Sequence, residues 1–142
     1  MDDISQTAVP TTEVIAPSSS VELVQCSAGM PDLAPMIFRQ RLVIEGTCRW
    51  PIVEDQIKRY LTQLSEVCGM RVLMEPVTHL SENYGWAGWV HWENSGAHFY
   101  AWDSPLLFFS VDIYTCQKFE VQKVCEFTRT FFQAPRAVAM AY

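Results

Sequence analysis

Residues 85–116 read GWAGWVHWENSGAHFYAWDSPLLFFSVDIYTC, and this stretch decides the fold class. It holds three runs rich in aromatic and β-branched residues: 85–94, 97–102 and 106–116. Ser95-Gly96 separates the first two runs and Asp103-Ser104-Pro105 the last two. Runs of this length and composition, bounded by turn formers, read as β-strands, and their close succession predicts an antiparallel, aromatic sheet. Trp86, Trp89 and Trp92 recur every third residue, so in a strand of period two they cannot all share one face. Some belong to the core and the others are exposed, suited to a subunit contact or a flat ligand.

Upstream, MIFRQRLVIEG over 36–46 reads as a strand closed by Gly46. Pro51 suits a helix start, and Ile57, Tyr60, Leu61, Leu64, Val67 and Cys68 then recur at helical spacing up to Gly69. RVLMEPV, 71–77, reads as another short strand. Downstream, Val121, Val124, Cys125, Thr128, Phe131 and Phe132 mark a second amphipathic helix, and Arg136 to Tyr142 a last strand. Strands interrupted by two helices give an α+β two-layer sandwich, a mostly antiparallel sheet with both helices on one face. Residues 1–34, rich in Ser, Thr and Pro, read as a flexible arm, and 35–142 as one domain.

Hydrophobic residues make up 49% and charged residues 18% of the 142, the balance of a folded domain. A net charge of -6 without a basic stripe offers nothing to a phosphate backbone, so nucleic acid is not an expected partner. The five cysteines show no CxxC spacing, which argues against a disulfide framework and a zinc knuckle alike. No apolar run is long enough to cross a membrane, and MDDIS is not a signal sequence, so the expected location is cytoplasmic. Three dispersed histidines, His79, His91 and His98, predict no metal site, and His79 and His91 receive no role. No phosphate loop, HExxH or GxSxG is present.

The central stretch resembles the bacterial and archaeal S-adenosylmethionine decarboxylases. In that family a glycine-containing strand leads to Glu-Ser-His, then His-Thr-Trp, then an aspartate and an aromatic followed by Thr-Cys. Here Gly85 and Gly88 match the glycines, Ser95 the self-cleaving serine, Trp102 the tryptophan, and Asp112, Thr115 and Cys116 the closing motif. One residue is inserted near Ser104. LVIEGTC and the helix ending VCGMRVL resemble the family's first strand, helix and second strand, so the resemblance spans about residues 40 to 132.

The resemblance implies that the chain cuts itself between Asn94 and Ser95, with Ser95 becoming a pyruvoyl group. That ketone joins the substrate amine and acts as an electron sink as carbon dioxide departs. It also implies a homodimer with its site near the interface, and S-adenosylmethionine or a smaller basic amino acid as substrate, within polyamine metabolism. Cys116 would be the general acid that protonates the decarboxylated carbon.

The departures are Asn94 for glutamate, Gly96 for histidine, and Tyr100 for the histidine that assists maturation. A phenol is a far weaker base than an imidazole near neutral pH. His98, on the same strand face as Tyr100, is the expected substitute. The candidate catalytic residues are thus Ser95, Cys116, His98 and Tyr100. Glu93, Trp102 and Asp103 are the candidate substrate contacts.

Without the resemblance Ser95 reads equally as a turn serine, Cys116 as a core cysteine and His98 as a structural histidine. Two other functions fit the same residues. One is an unprocessed enzyme that cleaves the sulfonium of S-adenosylmethionine with Glu93, His98, Tyr100 and Asp103. The other is a non-catalytic relative that binds a ligand or a partner chain.

Overall fold

A computed structural model of the chain describes residues 20–25 and 31–142. The strands are β1 (Glu22–Gln25), β2 (Gln40–Thr47), β3 (Val77–Leu80), β4 (Trp86–Trp92), β5 (Ser95–Trp102), β6 (Phe108–Thr115) and β7 (Ala137–Ala141). The helices are α1 (Glu54–Cys68) and α2 (Val121–Phe131). One sheet runs β1-β7-β2-β6-β5-β4-β3, antiparallel throughout except for the parallel pair β1 and β7. The expected α+β two-layer sandwich is therefore the architecture, with both helices on one face of the sheet.

The alternation of the strands explains the layers. Leu42 and Ile44 of β2, Phe109, Val111 and Ile113 of β6, Ala97, Phe99 and Ala101 of β5, and Val90 and Trp92 of β4 are buried. Their neighbours in sequence point to the other face, on which no helix lies among the described residues. From α1 the core takes Ile57, Tyr60, Leu61, Leu64 and Cys68, and from α2 Val124 and Cys125.

Glu54 and Asp55 occupy the first turn of α1, where negative charge complements the helix dipole. The Val53 backbone N–H donates to the Gln56 side chain at 3.1 Å, half of a capping box. Gly69 ends the helix at φ 67°, the left-handed geometry that costs glycine least. The two helices are joined through the fully buried Tyr60 hydroxyl, 2.8 Å from Thr128 Oγ1. Burial pushes that phenol well above the usual tyrosine range.

Trp92 fastens β4 to α1. Its indole Nε1–H donates to Ser65 Oγ at 2.7 Å, and Ser65 in turn donates to Leu61 O at 2.7 Å. Trp92→Ala removes the largest fully buried side chain and one partner of a buried hydroxyl. It should lower unfolding free energy by about 3–5 kcal/mol, read as a fall in the urea midpoint.

Three expectations are corrected. The 1–34 arm contains a strand: β1 pairs with β7 from Glu22 opposite Val138 to Gln25 opposite Ala141. The rest of the arm up to 19, and 26–30, lies outside the described residues. The 71–77 strand is displaced to 77–80, with only an isolated bridge between Val72 and Trp92 before it. Pro76 has no N–H for a ladder there, and Leu73 and Met74 are exposed. Finally, β2 starts at Gln40 rather than 36, because Ile37 N–H turns back to Ala34 O at 2.9 Å.

Candidate active site

β4 and β5 form a hairpin in which Trp92 pairs with Ser95, so Glu93 and Asn94 alone make its turn. Hairpins this tight usually place positive φ on the loop residues. Here it falls on the next residue, Ser95, at φ 133°. A side chain costs about 1–3 kcal/mol in so sparsely occupied a region. The candidate nucleophile therefore begins a strand under backbone strain, next to the peptide bond it is expected to attack.

The carbonyl of that bond is cradled. Asn94 O accepts the Cys116 backbone N–H at 3.0 Å and the Cys116 thiol at 3.5 Å. This follows from register, since Ser95 lies opposite Thr115 on β6, which brings Cys116 level with Asn94. Asn94 Nδ2 also donates to Gln117 Oε1, and the Gln117 N–H donates to Thr115 Oγ1 at 3.0 Å. Thr115 is fully buried, with its hydroxyl 3.8 Å from Met70 Sδ. Thr115 thus holds the Cys116-Gln117 corner in place while Cys116 itself is exposed.

Beside the turn, on the face without helices, lies an open cavity of about 420 Å³ lined by Arg41, His91, Ser95, His98, Asp112 and Tyr114 among others. Arg41 grips Asp112 with two hydrogen bonds, Nε to Oδ1 at 3.0 Å and Nη2 to Oδ2 at 2.6 Å. That carboxylate raises the guanidinium further above its ordinary range. His98 pairs across the sheet with Trp89 on one side and Asp112 on the other. Its ring lies parallel to that of Tyr100, centroids 6.5 Å apart.

The other candidates are dispersed. Tyr100 is exposed and lines a broader depression with His79, Trp89, His91 and His98, not the cavity containing Ser95. Glu93 stands at the hairpin tip, 3.6 Å from Arg71. Trp102 and Asp103 close the far end of β5, seven residues from Ser95, or roughly 23 Å at about 3.3 Å per residue. Within the chain the fold gathers Ser95, Asn94, Cys116 and His98, and separates them from Trp102 and Asp103.

All three histidines project onto the face away from the two helices, although the sequence disperses them: His79 pairs with Ala87, His91 with Gly96 and His98 with Trp89. Among the described residues no metal-holding group of three ligands forms. His91 is the residue that sequence reading passed over. Placing the turn at Glu93-Asn94, rather than around Ser95-Gly96, would have set it opposite Gly96.

Residues 52–142 match the profile of a family described as S-adenosylmethionine decarboxylase. In fold the chain is similar to the crystal structure of the adenosylmethionine decarboxylase from Aquifex aeolicus VF5, with a TM-score of 0.56 and 14% identity. The match covers 75% of this chain and 89% of that one. Among curated proteins no match is found.

Proposed function

The chain belongs to the S-adenosylmethionine decarboxylase family, and from that premise we propose that it cleaves itself between Asn94 and Ser95 and decarboxylates S-adenosylmethionine or a related amino acid. The observation that carries this reading is the double donation from Cys116 onto the Asn94 carbonyl, next to the strained Ser95.

The chemistry suits that arrangement. Attack by Ser95 Oγ on the Asn94 carbonyl carbon puts negative charge on Asn94 O. Donors fixed before the reaction stabilise such charge without reorganising. When the bond from Asn94 C to Ser95 N breaks, φ of Ser95 ceases to be constrained by the peptide, so strain falls as the reaction proceeds. The chain's own residues thus fit formation of a pyruvoyl group at 95. Once formed, that group supplies an electron sink for loss of carbon dioxide. The exposed Cys116 thiol then stands where it can return a proton to the decarboxylated carbon.

The sheet face without helices supports a homodimer. It presents Tyr100, Tyr114 and Met140, each at least 38% exposed, together with the half-buried Trp89, Trp102 and Phe108. A second copy on this face would close the cavity beside Ser95 from above, and exclude water from it. Sedimentation should give twice the chain mass, falling to the chain mass in Tyr114→Glu.

Intact mass spectrometry of the purified protein tests self-cleavage, since two fragments divided before Ser95 are expected. Tyr100 outside the Ser95 cavity favours one second reading, that of an unprocessed enzyme that positions S-adenosylmethionine and cleaves its sulfonium. A single intact chain that releases methylthioadenosine would establish that reading instead.

A further inference from the structure

We propose that His91, on the strand before the scissile bond, is the base that removes the Cα proton of Ser95 during self-cleavage. This rests on the reading of Ser95 as self-cleaving.

Forming the ester moves the Ser95 hydroxyl proton onto the amide nitrogen that departs, with no net loss of a proton, whereas opening the ester takes a proton from carbon and needs a base to receive it. The acyl shift has backbone strain and the Cys116 cradle behind it. After the shift, the Ser95 Cα–H bond must break while the Cβ–Oγ bond breaks, and Asn94 leaves as a free carboxylate. Residue 95 is left as dehydroalanine, which tautomerises to an imine. Water hydrolyses the imine, releasing ammonia and leaving the ketone.

The cavity holding Ser95 offers few groups for that proton. Arg41 and Asp112 are bound to each other through two hydrogen bonds, and a guanidinium does not give up its proton. Tyr114 carries a phenol, a poor base in its protonated form. Two imidazoles remain, His91 and His98, both exposed to the cavity.

Register separates them. His91 is the cross-strand partner of Gly96, the residue bonded to Ser95. His98 lies three residues from Ser95, beside Tyr100. Directly paired residues stand about 4.5–5.5 Å apart at Cβ, which sets His91 level with the backbone next to Ser95. Position 96 is held as glycine by the fold, because a Cβ there would come 2.5 Å from Val90 O and 3.6 Å from the His91 Cα, so the two strands stay close at this point. Arg71 and Glu93, the remaining charged groups near the turn, are 3.6 Å from each other at the hairpin tip.

The test follows cleavage in freshly synthesised full-length chains of the wild type, His91→Gln, His91→Asn and His98→Gln. Intact mass is read before and after hydroxylamine, which cuts an ester but not a peptide. The wild type should divide before Ser95. Both His91 variants should stay undivided yet be cut by hydroxylamine at that position, with fragment formation slowed at least about a hundredfold, the usual loss of a general base. His98→Gln should form fragments faster than either His91 variant; the reverse order would assign the proton to His98 and overturn the proposal.

His91 variants that divide at the wild-type rate would overturn the proposal. So would variants that resist hydroxylamine, because the block would then precede the ester. A wild-type chain that never divides would overturn the self-cleaving reading itself. That result differs from failure of His91 alone, in which the wild type divides and the variants keep pace with it. His91 is exposed on a strand face, so unchanged urea midpoints are expected for its variants.

Discussion

Ser95→Ala should remain a single chain of 142 residues under conditions in which the wild type separates into residues 1–94 and 95–142. The expected loss is complete, because alanine has no atom to attack the Asn94 carbonyl and an unassisted peptide bond does not hydrolyse on this timescale. Mass alone identifies the chemistry. Elimination followed by hydrolysis makes the two wild-type fragments sum to the chain plus one water minus one ammonia. Simple proteolysis would add the water and lose nothing.

A second substitution at the same position separates strain from reactivity. Ser95→Ala keeps a Cβ at φ 133°, whereas Ser95→Gly removes both the hydroxyl and the penalty. Both variants should stay uncut, with the glycine form more stable by about 1 kcal/mol in urea denaturation. Equal midpoints would mean that the turn is relaxed and that strain does not assist the acyl shift. Clean division of Ser95→Ala before residue 95 would remove Ser95 from the chemistry altogether.

The sheet was legible because its buried strands alternate so regularly. Leu42 and Ile44, or Ala97, Phe99 and Ala101, announce both a strand and the face that packs on the helices. The helices were legible from Ile57, Tyr60, Leu61 and Leu64 at helical spacing and from Gly69 at the end. Segments whose structure depends on distant partners were not. β1 is four residues whose ladder is supplied by β7, more than a hundred positions later. The 71–77 run carries strand-forming residues, but it pairs with β4 only around the Val72–Trp92 bridge, Pro76 has no N–H to extend that pairing, and Val72, Leu73 and Met74 are exposed.

The site shows the same division. Ser95 and Cys116 could be named from their neighbours in sequence, but their relation could not. That relation is a matter of register: Ser95 opposite Thr115 sets Cys116 against the Asn94 carbonyl, and Trp92 opposite Ser95 sets His91 against Gly96. A one-residue slip in either ladder would turn these side chains to the other face. Trp102 and Asp103, which look close to Ser95 in a linear motif, are carried away from it by the extension of β5.

Cys116→Ala should slow self-cleavage by roughly tenfold to a hundredfold, at or below the lower limit of the about 10²–10³ that loss of one full oxyanion donor costs. A thiol is a weak donor, and the Cys116 backbone N–H at 3.0 Å from Asn94 O survives the substitution. Decarboxylation by whatever fraction matures should fall much further, since the same thiol is the proposed proton donor to the product carbon. Cys116→Ser divides the two roles. A hydroxyl donates to a carbonyl at least as well as a thiol, so cleavage should stay within a few-fold of wild type. It is also a far weaker acid, so kcat should drop by about 10²–10⁴ while KM changes little. The measurements are the rate of fragment formation by intact mass and the rate of carbon dioxide release by the purified, fully cleaved fraction. If Cys116→Ser matures and turns over like the wild type, the proton comes from elsewhere, and Cys116 serves only to hold the Asn94 carbonyl.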